Sequence, residues 1–171
     1  SISMLAMNSF LPSLPSMALH FGTTTAIMGL SVAIYLASSA VLQILVGPLS
    51  DKIGRRPALL WSLGIFIFAS FACIFAQNTI VFMGLRAIQA FAACAMVLSR
   101  AIVRDTNDTQ TSGSKIAYIS MGMAITPMFA PALGGFLDNW FGWQANFWMI
   151  GGVGTLIWVV TYFDQGETVP P

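Results

Sequence analysis

Few side chains in this sequence can carry chemistry, and their placement narrows what that chemistry is. Among 171 residues there are one histidine, two cysteines, seven Lys or Arg and six Asp or Glu. Covalent or metal-assisted catalysis needs clustered His, Cys, Asp or Glu groups. Here Cys73 and Cys94 each sit in an apolar run and read as small buried fillers, giving neither a disulfide framework nor a metal site. No enzyme, cofactor or metal centre is therefore expected. The net charge of +1 leaves no polybasic tail or patch for nucleic acid. His20, at the end of the first apolar stretch, has the setting of an interfacial residue. The one formal charge deep inside an apolar stretch is Arg86. An arginine at the centre of a membrane helix costs about 2.5–3.5 kcal/mol on insertion scales, so its guanidinium should face protein or water. Arg86, Gln89, Ala93, Arg100 and Arg104 recur on one helical face. The arginine is then either bonded to carbonyls and amides within a bundle or lines a cavity.

The elements that must position these groups follow from where charge is missing. The chain is 57% hydrophobic and 8% charged, with a mean hydropathy of +0.80, whereas soluble domains carry about 25% charged residues. From Ser1 to Ser50 only His20 is ionisable. A helix needs about 20 apolar residues to cross a hydrocarbon core, and in lipid the backbone must satisfy its own hydrogen bonds. Divided at polar and turn-forming residues, the chain gives an all-α membrane protein. Its six spans lie near 2–19, 25–46, 57–76, 80–98, 115–137 and 146–163. No cleavable signal peptide is expected, because the first apolar segment has neither a basic flank nor a small-residue cleavage site.

Lys52, Arg55 and Arg56 fall between spans 2 and 3, and Arg100, Arg104 and Lys115 at the connection of spans 4 and 5. Two crossings separate those connections, so they share a face, and the positive-inside rule makes it cytoplasmic. Both termini then lie inside. Trp61, Trp140, Trp143, Trp148 and Trp158 fall near span ends, as interfacial anchors do. A shift of 88 residues places Gly47 on Gly135, Leu49 on Leu137, Asp51 on Asn139 and Gly54 on Gly142. One stretch is on the basic face and the other opposite, so the two helix triplets form an inverted 3+3 repeat.

Gly47-Pro-Leu-Ser-Asp-Lys-Ile-Gly-Arg-Arg-Pro57 joins spans 2 and 3. Gly47 allows close packing, Gly54 a tight turn, and Asp51 can meet a helix N-terminus or pair with Arg55 and Arg56. Its spacing resembles the loop 2–3 signature of the major facilitator superfamily, G-x-L-x-D-x-x-G-R-R/K-x, with every fixed position matched. The resemblance implies a gating latch of Gly47, Asp51, Gly54, Arg55 and Arg56, closing on a second half. Leu85-Arg-Ala-Ile-Gln-Ala90 resembles the helix 4 motif of that family, with Ala90 where a glycine is usual, and implies a coupling role for Arg86. Ser99-Arg-Ala-Ile-Val-Arg-Asp105 looks like the helix 4 exit of the bicyclomycin/chloramphenicol-resistance branch; it is either a solvated helix end or part of a gate.

Thr126-Pro-Met-Phe-Ala-Pro-Ala-Leu-Gly-Gly135 puts two prolines and two glycines in one span, which kink it and admit a close neighbour. It resembles the helix 5 antiporter signature G-P-x-x-G-G through Pro131, Gly134 and Gly135, with Ala130 replacing the first glycine. Asn8-Ser-Phe-Leu-Pro-Ser-Leu-Pro15 bends span 1 and is similar to the first helix of the same branch, where many proteins carry an acid at the position of Asn8. No acid lies well inside any span, so the proton-bearing carboxylate belongs to another half, or coupling works differently. The resemblance covers essentially the whole chain, with 164–171 as the start of the central cytoplasmic loop. It implies a secondary transporter that exports small, mainly apolar drugs in exchange for protons across a bacterial inner membrane. Its partners would be the bilayer, substrate, protons and a missing C-terminal six-helix half. Helices 1, 2, 4 and 5 would line the cavity, with Asn8, Tyr35, Gln43 and Thr126 as substrate contacts. Met4, Met7, Met121, Met123 and Met128 would add a deformable wall. The alternative is a transporter of a polar metabolite such as a sugar or amino-acid derivative.

Overall fold

The structure is a computed structural model that describes residues 2–164, the side chains of Thr109 and Asp164 excepted. The expected central-loop start beyond residue 164 lies outside the described residues. The chain forms α1 (Ile2–Asn8), a single 3-10 turn (Leu11–Ser13), α2 (Leu14–His20), α3 (Thr25–Ile53), α4 (Arg55–Ile74), α5 (Thr79–Gln89), α6 (Phe91–Thr106), α7 (Thr109–Phe141) and α8 (Gln144–Asp164). Taken as α1–α2, α3, α4, α5–α6, α7 and α8, these make six segments long and apolar enough to cross a membrane.

Local chemistry explains several of the boundaries. Span 1 breaks where Pro12 and Pro15 remove backbone donors, and a short 3-10 turn bridges the gap. Thr24 caps α3 by accepting from the Ile27 N–H at 3.3 Å, and Asn78 caps α5 by accepting from the Val81 N–H at 2.8 Å. Span 4 is interrupted at Ala90, one residue after Gln89. Helices α3, α6 and α7 outrun the expected spans, because nothing at the lipid boundary stops a helix that can continue in water. With 29 and 33 residues, α3 and α7 reach about 43 and 50 Å, well beyond a 30 Å hydrocarbon core.

The inverted repeat is visible in how those two helices stop. Gly54 ends α3 at φ 98° with its N–H bonded to the Ser50 carbonyl, and Gly142 ends α7 at φ 82° with its N–H bonded to that of Asp138. Both pairs lie 88 residues apart, on opposite faces of the bundle. A side chain in that backbone region is strained by about 1–3 kcal/mol, so glycine is required at both.

Helices α4 and α8 pack closely against each other, running antiparallel. A Cβ at Gly154 would lie 3.0 Å from the Phe66 ring, and one at Gly151 would lie 2.9 Å from that of Phe71. Away from the basic face, Phe10, Met17, Phe82, Trp143 and Phe147 form an aromatic-rich core. Trp143 thus departs from the expectation of an interfacial anchor, being 5% exposed, whereas Trp61 and Trp140 are above 70%. The turn at Gly142 folds its ring inward, against Phe82 and Phe147. Burial is uneven among the spans. Only 6% of the most apolar stretch of α7 is inside the bundle, and 22% of that of α3, against 44% for spans 1, 3 and 4.

Candidate functional site

Three polar constellations stand out in an otherwise apolar bundle. The first is at the basic face. Arg55, placed at the start of α4 by the Gly54 turn, pairs with Asp51 at 2.6 Å and Asp105 at 3.2 Å and donates to the Ser50 hydroxyl at 2.6 Å. It thereby ties α3, α4 and the end of α6 together. Asp51 is 60% exposed, so its second oxygen stays open to a further partner. Arg56 does not join this cluster; its Nη2 donates to the Tyr162 carbonyl on α8 at 2.8 Å. Exposed ion pairs contribute at most about 1 kcal/mol each, so the geometry sets helix positions more than stability. Asp105 and Ser50 complete the cluster, yet the loop signature does not name them. The only sequence signal for Asp105 is its place in the charged end of span 4.

The second constellation is built around Arg86, which is fully buried. One guanidinium nitrogen donates to the Gln89 side-chain oxygen and to the Ala6 carbonyl, the latter at 3.4 Å. The guanidinium lies 4.1 Å from the Phe10 ring centroid and 4.8 Å from that of Tyr35. Desolvated cation–π contacts contribute about 2 kcal/mol or more, so the two rings replace the carboxylate that a buried arginine normally requires. The Gln89 amide donates to the Ser70 hydroxyl at 2.9 Å, and the Tyr35 hydroxyl contacts that of Ser3 at 3.1 Å. Residues of the first four spans therefore converge on one cation. Its Nε and Nη2 are buried without a hydrogen-bond partner among the described residues. Of the helical face drawn from the sequence, Arg86, Gln89 and Ala93 are buried. Arg100 is half-buried and donates to the Met123 sulfur at 3.0 Å, while Arg104 is exposed.

The third lies where α7 meets the bend of span 1. A Cβ on Gly134 would lie 1.6 Å from the Ser9 carbonyl oxygen, whereas one on Gly135 would meet only the Pro12 ring at 3.6 Å. Asn146 of α8, fully buried, donates to the Ser13 hydroxyl at 2.9 Å and to the Gly134 carbonyl at 3.2 Å. Nearer the end of α7, Ser16 donates to Asp138 at 2.8 Å. Pro131, half-buried, and Ala130, 1% exposed, sit one turn earlier on the same helix. Asn146 went unnoticed in sequence because it lies outside every motif.

The four residues expected to contact substrate do not gather in this part of the molecule. Tyr35 is sealed against Arg86. Asn8 is half-buried and caps its own broken helix by donating to the Met4 carbonyl at 2.8 Å. Thr126 donates to the Gly122 carbonyl at 2.6 Å inside α7, and Gln43 is half-buried on α3. A cleft of about 170 Å³ between Leu63, Met96, Ser99 and Thr161 is lined by none of the four. Met121 and Met128 are exposed on α7.

Over residues 1–171 the chain matches the Major Facilitator Superfamily and belongs to it. It is 37% identical over 153 residues to the chloramphenicol resistance protein of Pseudomonas aeruginosa, an alignment covering 88% of this chain and 36% of that protein. It is 30% identical over 162 residues to the multidrug resistance protein MdtL of Escherichia coli strain SMS-3-5, covering 94% of this chain and 41% of the relative. The MdtL protein of Escherichia fergusonii matches to the same extent. The chain thus spans about two fifths of the length of these relatives. It is a multi-pass membrane protein of that superfamily.

Proposed function

We propose that this chain is the N-terminal six-helix half of an exporter that moves small, mainly apolar drugs out of a bacterium in exchange for protons. The observation that carries this is its similarity, along nearly its whole length, to proteins named for chloramphenicol and multidrug resistance. The geometry supplies parts suited to the task. Helices α3 and α7 leave most of their apolar surface uncovered, as expected of walls that meet a second half. Asp51, half of its charge still open to solvent, is the group that a helix N-terminus of that half would engage to close the basic side. Arg86 brings a charge to membrane depth with two of its nitrogens, Nε and Nη2, unpartnered among the described residues, and a carboxylate supplied by the remainder of the protein would engage them. Gln89, Phe10 and Tyr35 hold the guanidinium through amide and aromatic contacts, so the charge stays in place as the halves rock.

The proposed orientation follows from charge. Six of the seven basic residues lie on one face, which the positive-inside rule assigns to the cytoplasm together with both ends of the bundle.

The test uses the full-length protein in bacteria lacking their major pumps, with accumulation of a lipophilic antibiotic followed before and after an uncoupler. Lowered accumulation that the uncoupler restores is expected, and Arg86→Ala should remove the difference. Unchanged accumulation across a panel of compounds would sink the drug-export assignment and favour a polar metabolite.

A further inference from the structure

On the outer side of the bundle, a groove of about 370 Å³ runs between α4 and α8, lined by Arg56, Pro57, Leu60, Trp61, Gly64 and Trp158. Pro57, Leu60, Trp61 and Gly64 recur at the spacing of one helix face. Gly64 keeps the floor open, since a Cβ there would meet only the Trp158 indole nitrogen at 3.9 Å. The back wall is fixed: the Trp158 indole N–H donates to the Leu60 carbonyl at 3.1 Å, and its ring stacks on Tyr162 at 5.5 Å. Trp61, 71% exposed, forms the opposite lip. Arg56 closes the upper end, and its Nε is buried with no hydrogen-bond partner among the described residues. Asp51 and Asp105 both pair with Arg55, and among the described residues neither pairs with Arg56.

We propose that this groove binds one anionic phospholipid, with Arg56 at the headgroup phosphate and an acyl chain lying along Leu60 and Gly64 between the two tryptophans. Polarity along the groove has the order of a phospholipid. A cation stands at the water-facing end, indoles follow at interfacial depth, and the floor about 12 Å further along the helix is apolar. Basic pockets between spans on the cytoplasmic side take anionic headgroups, each cation adding about 1 kcal/mol near such a surface. The site lies apart from the Arg86 and Gly134 constellations, and it uses the transport assignment only for the orientation that sets Arg56 on the cytoplasmic side.

The experiment is native mass spectrometry of the full-length protein in a neutral detergent, titrated with phosphatidylglycerol and, separately, phosphatidylcholine. Phosphatidylglycerol should be retained at lower concentration, and Arg56→Gln should weaken it about fivefold, the contribution of one cation. Gly64→Leu should block the groove with its charge intact, while Lys115→Gln, which removes a cation elsewhere on the same face, should change nothing. Equal retention of both lipids, or an Arg56→Gln protein that binds as the unmodified one does, overturns the proposal. So does an equal loss in Lys115→Gln, which would reduce the effect to general surface charge. Displacement of the bound lipid by chloramphenicol would assign the groove to a transported compound instead. If Gly64→Leu does not fold, the comparison of Arg56→Gln with Lys115→Gln decides alone.

Discussion

Arg86 concentrates the energetic problem of this bundle in one side chain. Lysine is a point charge that cannot face two rings while donating to Gln89 and Ala6, so it does not substitute for the planar guanidinium. Arg86→Lys should accordingly lose uncoupler-sensitive export as completely as Arg86→Ala, and retained export in the lysine variant would show that charge alone suffices. At Tyr35 the ring and the hydroxyl can be separated. Tyr35→Phe gives up the contacts to Ser3 and should cost about 1 kcal/mol in thermal unfolding of the full-length protein. Tyr35→Leu also removes a face of the cation–π sandwich and should cost about 2 kcal/mol more. The sequence made the depth of Arg86 and its shared face with Gln89 readable, since both depend only on helical spacing. Phe10, Tyr35 and Ser70 lie on other spans, and no local pattern marks an aromatic ring as the partner of a buried cation.

At the scale of elements, the seam between span 1 and α7 separates two adjacent glycines that look equivalent in the motif. Gly134 faces backbone, which cannot swing aside as a side chain can, and Gly135 faces a proline ring at ordinary contact distance. Gly134→Ala should therefore destabilise by about 1–3 kcal/mol, as overpacking does, while Gly135→Ala should be close to neutral. Equal melting temperatures for the two variants would show that span 1 yields easily. The prolines and glycines of α7 are plain in the sequence, and so is the bend at Pro12 and Pro15. Which glycine meets the bend depends on the register of two helices, and that is fixed by Asn146 reaching across from a third. A hydrophilic residue in an apolar span with no motif around it gives no hint of its partner.

For the molecule as a whole, the spans were legible because lipid imposes one rule on every segment, whereas the assembled site was not. The residues expected at a substrate cavity remain scattered over α1, α3 and α7; on the proposed assignment a second half would supply the facing wall. The even number of crossings makes a topology test direct. A fluorescent protein fused after Asp164 should be bright, and alkaline phosphatase inserted at the turn after Phe141 should be active. A dark fusion together with an inactive insertion would reverse the orientation. The reporters are fused in the full-length protein, where on the proposed assignment the exposed faces of α3 and α7 meet a second half.

The matched glycine caps at Gly54 and Gly142 carry a consequence for how such a chain acquires its way up. A backbone turn that serves equally well on either face of a membrane holds no information about direction. That information sits in the residues that follow: two arginines after Gly54, and Trp143 and Gln144 after Gly142. Folding and orientation are thus written in different letters, and a three-helix segment with an uncharged cap would have no preferred sense of insertion. Duplicating such a segment, then charging one copy, is enough to turn an indifferent unit into a molecule with an inside and an outside.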